Sequence, residues 1–182
     1  FGNLTAGLIA HRMGLPVSHF IAANNRNDVF LDYLHTGVYR PRPSVATLAN
    51  AMDVGDPSNF ARILDLFGSD HAAITALISG SRTTDDEIRT TLADVVRTHG
   101  YTLDPHGACG YRALVQRGLQ PGETGLFLET AHPAKFRDTV EAATGRTVEI
   151  PPRLRAFMQG EKHSVPMTRT FGAFKEYLLT QA

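Results

Sequence analysis

Thr130 stands between two stretches of different character, the apolar run Gly125-Leu126-Phe127-Leu128-Glu129 and the tripeptide Ala131-His132-Pro133. The run is too short for a helix and follows a Gly-containing turn, so it predicts a buried strand over Gly125 to Glu129. Pro133 suits the first position of a helix, where the missing N–H had no partner in any case. Thr130 then lies at the carboxyl end of a strand, where open α/β sheets bind ligands. Its hydroxyl can exchange a hydrogen bond with a ligand's ring nitrogen, or it can cap the following helix.

Other polar residues offer chemistry more weakly. Asn24-Asn25-Arg26-Asn27-Asp28 reads as a turn whose side chains bond their own backbone, with Asn27 or Asp28 capping a helix that ends at Gly37. A second use is to face a ligand crevice, because the cluster follows a strand. Arg40-Pro41-Arg42-Pro43 is a non-helical loop whose two guanidinium groups either meet a phosphorylated ligand or are solvated, and solvation is the simpler reading. His132 can act as a general base, but a histidine at a helix start is more often a cap or a hydrogen-bonded structural residue. Cys109, without a second cysteine, fits a small buried thiol. The histidines show no ligand spacing, so no metal site is expected.

The elements that must position these residues follow from hydrophobic spacing. Leu4, Leu8, Ile9 and Met13 share a helical face closed by Gly14 and Pro16, and Val17 to Ala22 predicts a strand. Leu48 to Val54 reads as a short helix or turn. Phe60, Ile63, Leu64 and Phe67 predict a helix ending at Gly68, and Ile74, Leu77 and Ile78 a shorter one reaching Gly80. Thr84-Asp85-Asp86-Glu87 is a capping box opening a helix with Ile88, Leu92, Val95 and Val96 inward, stopped by Gly100. Tyr101 to Leu103 is extended, and Asp104-Pro105 starts a helix running to Gly118. Phe136 and Val140 face inward on a helix from Pro133 to Thr144, and Thr147 to Ile150 is extended. A helix starts near Arg153, and a last one from about Arg169 buries Phe171, Phe174 and Leu178.

Helices alternate with few strands, which predicts an α/β fold, helix-rich, with a short parallel sheet flanked by helices. The sheet reads as incomplete, since parallel sheets usually contain more strands than the two or three found here. The 182 residues suffice for one domain with a core, and Lys plus Arg balance Asp plus Glu at 18 each. No basic patch points to nucleic acid, no apolar run is long enough for a bilayer, and no signal peptide is evident, so a cytoplasmic protein is the default.

Thr130-Ala131-His132-Pro133-Ala134-Lys135-Phe136 resembles a signature of threonine synthases, which are pyridoxal 5'-phosphate enzymes of fold type II, tryptophan synthase β-like. Phe1-Gly2-Asn3-Leu4-Thr5-Ala6-Gly7 resembles the last part of that family's phosphate loop and the helix after it. Segments beginning at Phe20, Leu48 and Pro105 resemble further family segments in the same order. The resemblance runs from the first residue to about Phe136.

It implies that Phe1, Gly2 and Asn3 bind the cofactor phosphate and that Thr130 meets its ring nitrogen. It also implies that O-phospho-L-homoserine and water become L-threonine and phosphate. The family's Schiff-base lysine matches none of Lys135, Lys162 and Lys175, so no catalytic residue is assigned in this chain. With a start inside the phosphate loop and no Met, the expectation is a single-domain C-terminal portion of a longer chain. Such a portion would be inactive alone and would expose apolar surface that favours self-association. A phosphohomoserine lyase of the same family, or a stand-alone binding or regulatory module, are the alternatives.

Overall fold

Ala22 and Ala23 are neighbours in the first strand, and they face different cores. That strand, β1 (Phe20–Asn24), pairs in parallel with β2 (Ile78–Arg82), Phe20 opposite Ile78 and Asn24 opposite Arg82. The computed structural model describes residues 1–181 and groups them into two compact units, the first 1–149 and the second from Ile150 onward.

In the first unit the sheet separates two apolar clusters. On one side, Leu8 of α1 (Gly2–Arg12), Phe30, Tyr33 and Leu34 of α2 (Val29–Thr36), Phe60 and Ile63 of α3 (Phe60–Leu66) and Ile74 of α4 (His71–Leu77) pack with Ile78. On the other, Ile88, Leu92 and Val95 of α5 (Asp85–His99) pack with Leu103 and with Ala108 and Cys109 of α6 (Pro105–Arg117). Phe30 and Ile63 are wholly buried, and each contributes about 1.5–3 kcal/mol by leaving water. Ala143 of α7 (Arg137–Thr144) adds to the second cluster. A helix layer on each face of a parallel sheet is the predicted α/β architecture.

Local signals set the best-defined boundaries. Thr84 Oγ1 accepts the N–H of Glu87, whose carboxylate accepts the N–H of Thr84, which forms the expected capping box. Asp104 caps α6 and Pro105 occupies its first turn. Elsewhere the observed limits differ. The first strand starts at Phe20, three residues later than predicted, and Ile78 leaves its predicted helix to begin β2. Pro133–Phe136 forms a 3-10 turn ahead of α7, and Thr147 to Ile150 pairs with no strand.

The second unit holds α8 (Pro152–Met158) and α9 (Phe171–Thr180). The expected burial of Phe171, Phe174 and Leu178 is not found: they are 77%, 48% and 51% exposed. Two helices of this length have too little mutual surface to enclose an apolar face. Among the described residues no helix is long and apolar enough to cross a membrane.

Candidate functional site

The segment before Thr130 corrects one expectation. Gly125 to Glu129 is not a strand of the sheet, which contains only β1 and β2 among the described residues. Its side chains nevertheless alternate, with Leu126 80% and Leu128 51% exposed while Phe127 and Glu129 turn inward. Period-two alternation specifies an extended backbone, but pairing needs a neighbour that this segment lacks. Phe127 meets the edge of Tyr111 on α6, with ring centroids 5.7 Å apart, and ties the segment to the second core.

Thr130 is exposed at the end of this segment, and its hydroxyl makes no hydrogen bond with the described residues. The helix cap is His132, whose Nδ1 accepts the N–H of Ala134 at 3.1 Å. His132 therefore has the structural role that was the simpler reading, and its tautomer carries the proton on Nε2. The capping alternative for Thr130 is removed. Its hydroxyl is free to meet a ligand.

Glu129, next to it, was not singled out by sequence reasoning, although an acid closing an apolar run was a usable signal. Its Oε2 accepts the N–H of Asp104 at 3.3 Å, while its Oε1 is buried without a partner. Burial, and then the charge of Asp104, push the Glu129 carboxyl up to about 7. Asp104 is completely buried; its Oδ1 accepts from the N–H of His106 at 2.7 Å and from His106 Nδ1–H at 2.6 Å. The His106 Nε2 accepts the N–H of Ala51 at 3.1 Å, which fixes that tautomer. The approach of Glu129 to α6 requires Gly107, because a Cβ there would lie 1.2 Å from Glu129 Oε1.

Phe1, Gly2 and Asn3 form the open end of α1. Phe1 is the cap residue without a side-chain cap bond, no acid occupies the first turn, and the first returning N–H is that of Thr5 to the Phe1 carbonyl. The N–H groups of Gly2, Asn3 and Leu4 are thus available, and with the helix dipole they suit an anion. Within the same turn, Thr5 Oγ1 is buried with no hydrogen-bond partner. An orphaned hydroxyl beside an uncapped, acid-free helix start fits a bound phosphate. Phe1 is held by an edge contact with Phe30 at 5.0 Å. No hydrogen bond or ring contact among the described residues joins this turn to Thr130.

The Asn24–Asp28 cluster is more than a local turn. Asn25 is fully buried, and its Nδ2 lies within hydrogen-bonding distance of Thr47 Oγ1 (2.8 Å), Ala49 O (3.1 Å) and Asp53 Oδ1 (2.8 Å). Asn27 Nδ2 donates to Val45 O at 2.8 Å, and its Oδ1 accepts the N–H of Val45 at 2.7 Å. These bonds fasten the loop after β1 to residues 45–53. Arg42 is likewise not simply solvated, since it pairs with Asp28 and, at 3.1 Å, with Asp32. Cys109 is buried, and burial pushes its thiol up to about 12, which suits the inert role expected of it. Lys135, Lys162 and Lys175 are all exposed.

Residues 107–178 match the family model described as Threonine synthase, C-terminal. The threonine synthase of Escherichia coli is 44% identical over 181 residues, an alignment covering 98% of this chain and 41% of that protein. The crystal structure of threonine synthase from Escherichia coli superposes with a TM-score of 0.84 at 40% identity, covering 100% of this chain and 42% of that one. PLP-bound threonine synthase from Brucella melitensis follows at 0.79 and 32%, covering 98% and 43%. The resemblance read from the motifs holds over nearly the whole chain. The chain spans about 41% of the length of the curated relative.

Proposed function

We propose that this chain forms part of a threonine synthase, which converts O-phospho-L-homoserine and water to L-threonine and phosphate with pyridoxal 5'-phosphate. The observation that carries the reading is the likeness to threonine synthases along the chain, in sequence and in fold. When bound, the cofactor supplies an electron sink for carbanion chemistry at the substrate carbon. The backbone N–H groups of Phe1, Gly2 and Asn3 would hold its phosphate at the start of α1. The Thr130 hydroxyl orients the ring by a hydrogen bond to its nitrogen. A neutral partner holds a proton on that nitrogen less firmly than a carboxylate does. Glu129, anchored on Asp104, fixes the backbone that presents Thr130.

No lysine in this chain matches the one that holds the cofactor covalently, so turnover in this reading depends on a segment outside these 182 residues. That segment and O-phospho-L-homoserine are the partners, and a cytoplasmic setting belongs to the same reading.

The test is a chimaera of the Escherichia coli enzyme in which the matched part is replaced by this chain. Phosphate release from O-phospho-L-homoserine by the chimaera, and none by this chain alone with added cofactor, is the expected result. A folded, cofactor-loaded chimaera that releases no phosphate would overturn the reading, as would turnover by this chain alone.

A further inference from the structure

Asp28 is a nearly buried carboxylate, with 9% of its side chain exposed, and it bonds two arginines from distant parts of the chain. Arg42 comes from the Pro-flanked loop and Arg82 from the last position of β2, with its Nη1 3.3 Å from Asp28 Oδ2. Arg42 Nη2 also reaches Asp32 Oδ2 at 3.1 Å. Arg26 stands two residues before Asp28, is exposed, and makes no hydrogen bond or ion pair with the described residues. Together with Thr84 these residues line an open cleft of about 420 Å³. Three guanidinium groups face two carboxylates there, so the cleft carries net positive charge.

The carboxylates orient the arginines without exhausting them. A guanidinium has five N–H donors, and Asp28 and Asp32 take one nitrogen from each of Arg42 and Arg82. Arg26 retains all of its donors. The loop carrying Arg42 is fixed by its N–H to the Gly55 carbonyl at 3.1 Å, and a Cβ on Gly55 would lie 1.7 Å from the Arg42 carbonyl oxygen. The cleft lies beyond the carboxyl ends of both strands, since β1 ends at Asn24 and β2 at Arg82. At α2, Asp28 makes no side-chain cap bond, and the first helix-start N–H with a backbone partner is that of Asp32.

We infer that the Arg26–Arg42–Arg82 cleft is a binding site for a phosphoryl group, separate from the turn at Phe1–Asn3. Arginine forks match phosphate oxygens two at a time, and the free donors of three forks around one opening can reach the several oxygens of a phosphate, which a single carboxylate does not offer. The volume exceeds that of the anion alone and leaves room for the organic part of a small phosphate monoester. The cleft geometry carries the inference, which stands whether or not the chain belongs to an active threonine synthase.

The test is calorimetric titration of the 182-residue chain with inorganic phosphate, repeated on Arg26→Gln, Arg82→Gln and the control Arg97→Gln. Arg26→Gln removes no contact within the fold, so its effect reads binding, and far-UV circular dichroism checks all variants. The inference expects phosphate affinity to fall about tenfold in each cleft variant and to be unchanged in the control. Absence of phosphate binding at millimolar concentration, or equal affinity in wild type and both cleft variants, would overturn it. Titration with O-phospho-L-homoserine and with L-homoserine separates the sources. Tighter binding of the ester than of phosphate supports the site as one for an organic phosphate, and equal binding supports it as one for free phosphate. Binding of L-homoserine as tight as that of its ester overturns it.

Discussion

Glu129 extends from the segment before Thr130 into the first turn of α6, where its Oε2 takes the N–H of Asp104 at 3.3 Å and its Oε1 occupies the space a side chain on Gly107 would need. One glycine thus lets the candidate ligand-binding loop rest on the helix that bears the second core. Gly107→Ala forces the carboxylate or the helix to move. We expect a loss of about 1–3 kcal/mol by urea denaturation, the usual cost of overpacking. Glu129→Ala in the same background should recover part of that loss. Additive losses in the double variant would mean that the two residues do not compete for space.

The same carboxyl gives the fold a pH dependence. Its ordinary value is 4.5, and burial, then the Asp104 charge, raise it to about 7 in the folded chain. Between those values the folded state holds a proton that the unfolded state has released, so stability falls as pH rises from 4.5 towards 7. The contribution is complete below 4.5 and lost above about 7. Glu129→Gln keeps the shape without the titration. Melting curves at intervals across this range should show a flatter pH profile for the variant than for the wild type, and identical profiles would exclude Glu129 as the source.

Asn25 should be a stability residue rather than a ligand contact. Its buried amide is surrounded by Thr47, Ala49, Asn27 and Asp53, and Asn25→Ala leaves several buried groups unmatched. A loss of about 3 kcal/mol is expected in denaturant unfolding. A change under 0.5 kcal/mol would show that water replaces the amide freely.

What could be read from the sequence follows the range of each interaction. The Thr84–Glu87 box and the Asp104–Pro105 start were legible because every partner lies within a turn. β2 was not, because Ile78 to Arg82 becomes a strand only by its register against Phe20 to Asn24, nearly sixty positions earlier. The short apolar run at Leu126 to Leu128 pointed to an extended backbone but could not report whether a strand lies beside it, nor that Leu126 and Leu128 would face outward. Thr130 and the turn at Phe1–Asn3 are candidates that motif resemblance alone brought forward. The joining of Arg42, Arg82 and Asp28 was not, since their positions in the chain are far apart and only the fold unites them.

The most direct measurement titrates pyridoxal 5'-phosphate into the apo form of the Escherichia coli chimaera that carries this chain, with Thr130 and with Thr130→Val. Thr130 is exposed and does not cap the turn after it, so the substitution should leave thermal stability within about 0.5 kcal/mol. If its hydroxyl bonds the cofactor ring nitrogen, affinity should fall by about 0.5–1.5 kcal/mol, or roughly two- to tenfold. Weakened cofactor binding with unchanged melting of the apo form is the predicted result. Unchanged cofactor affinity would contradict the role assigned to Thr130.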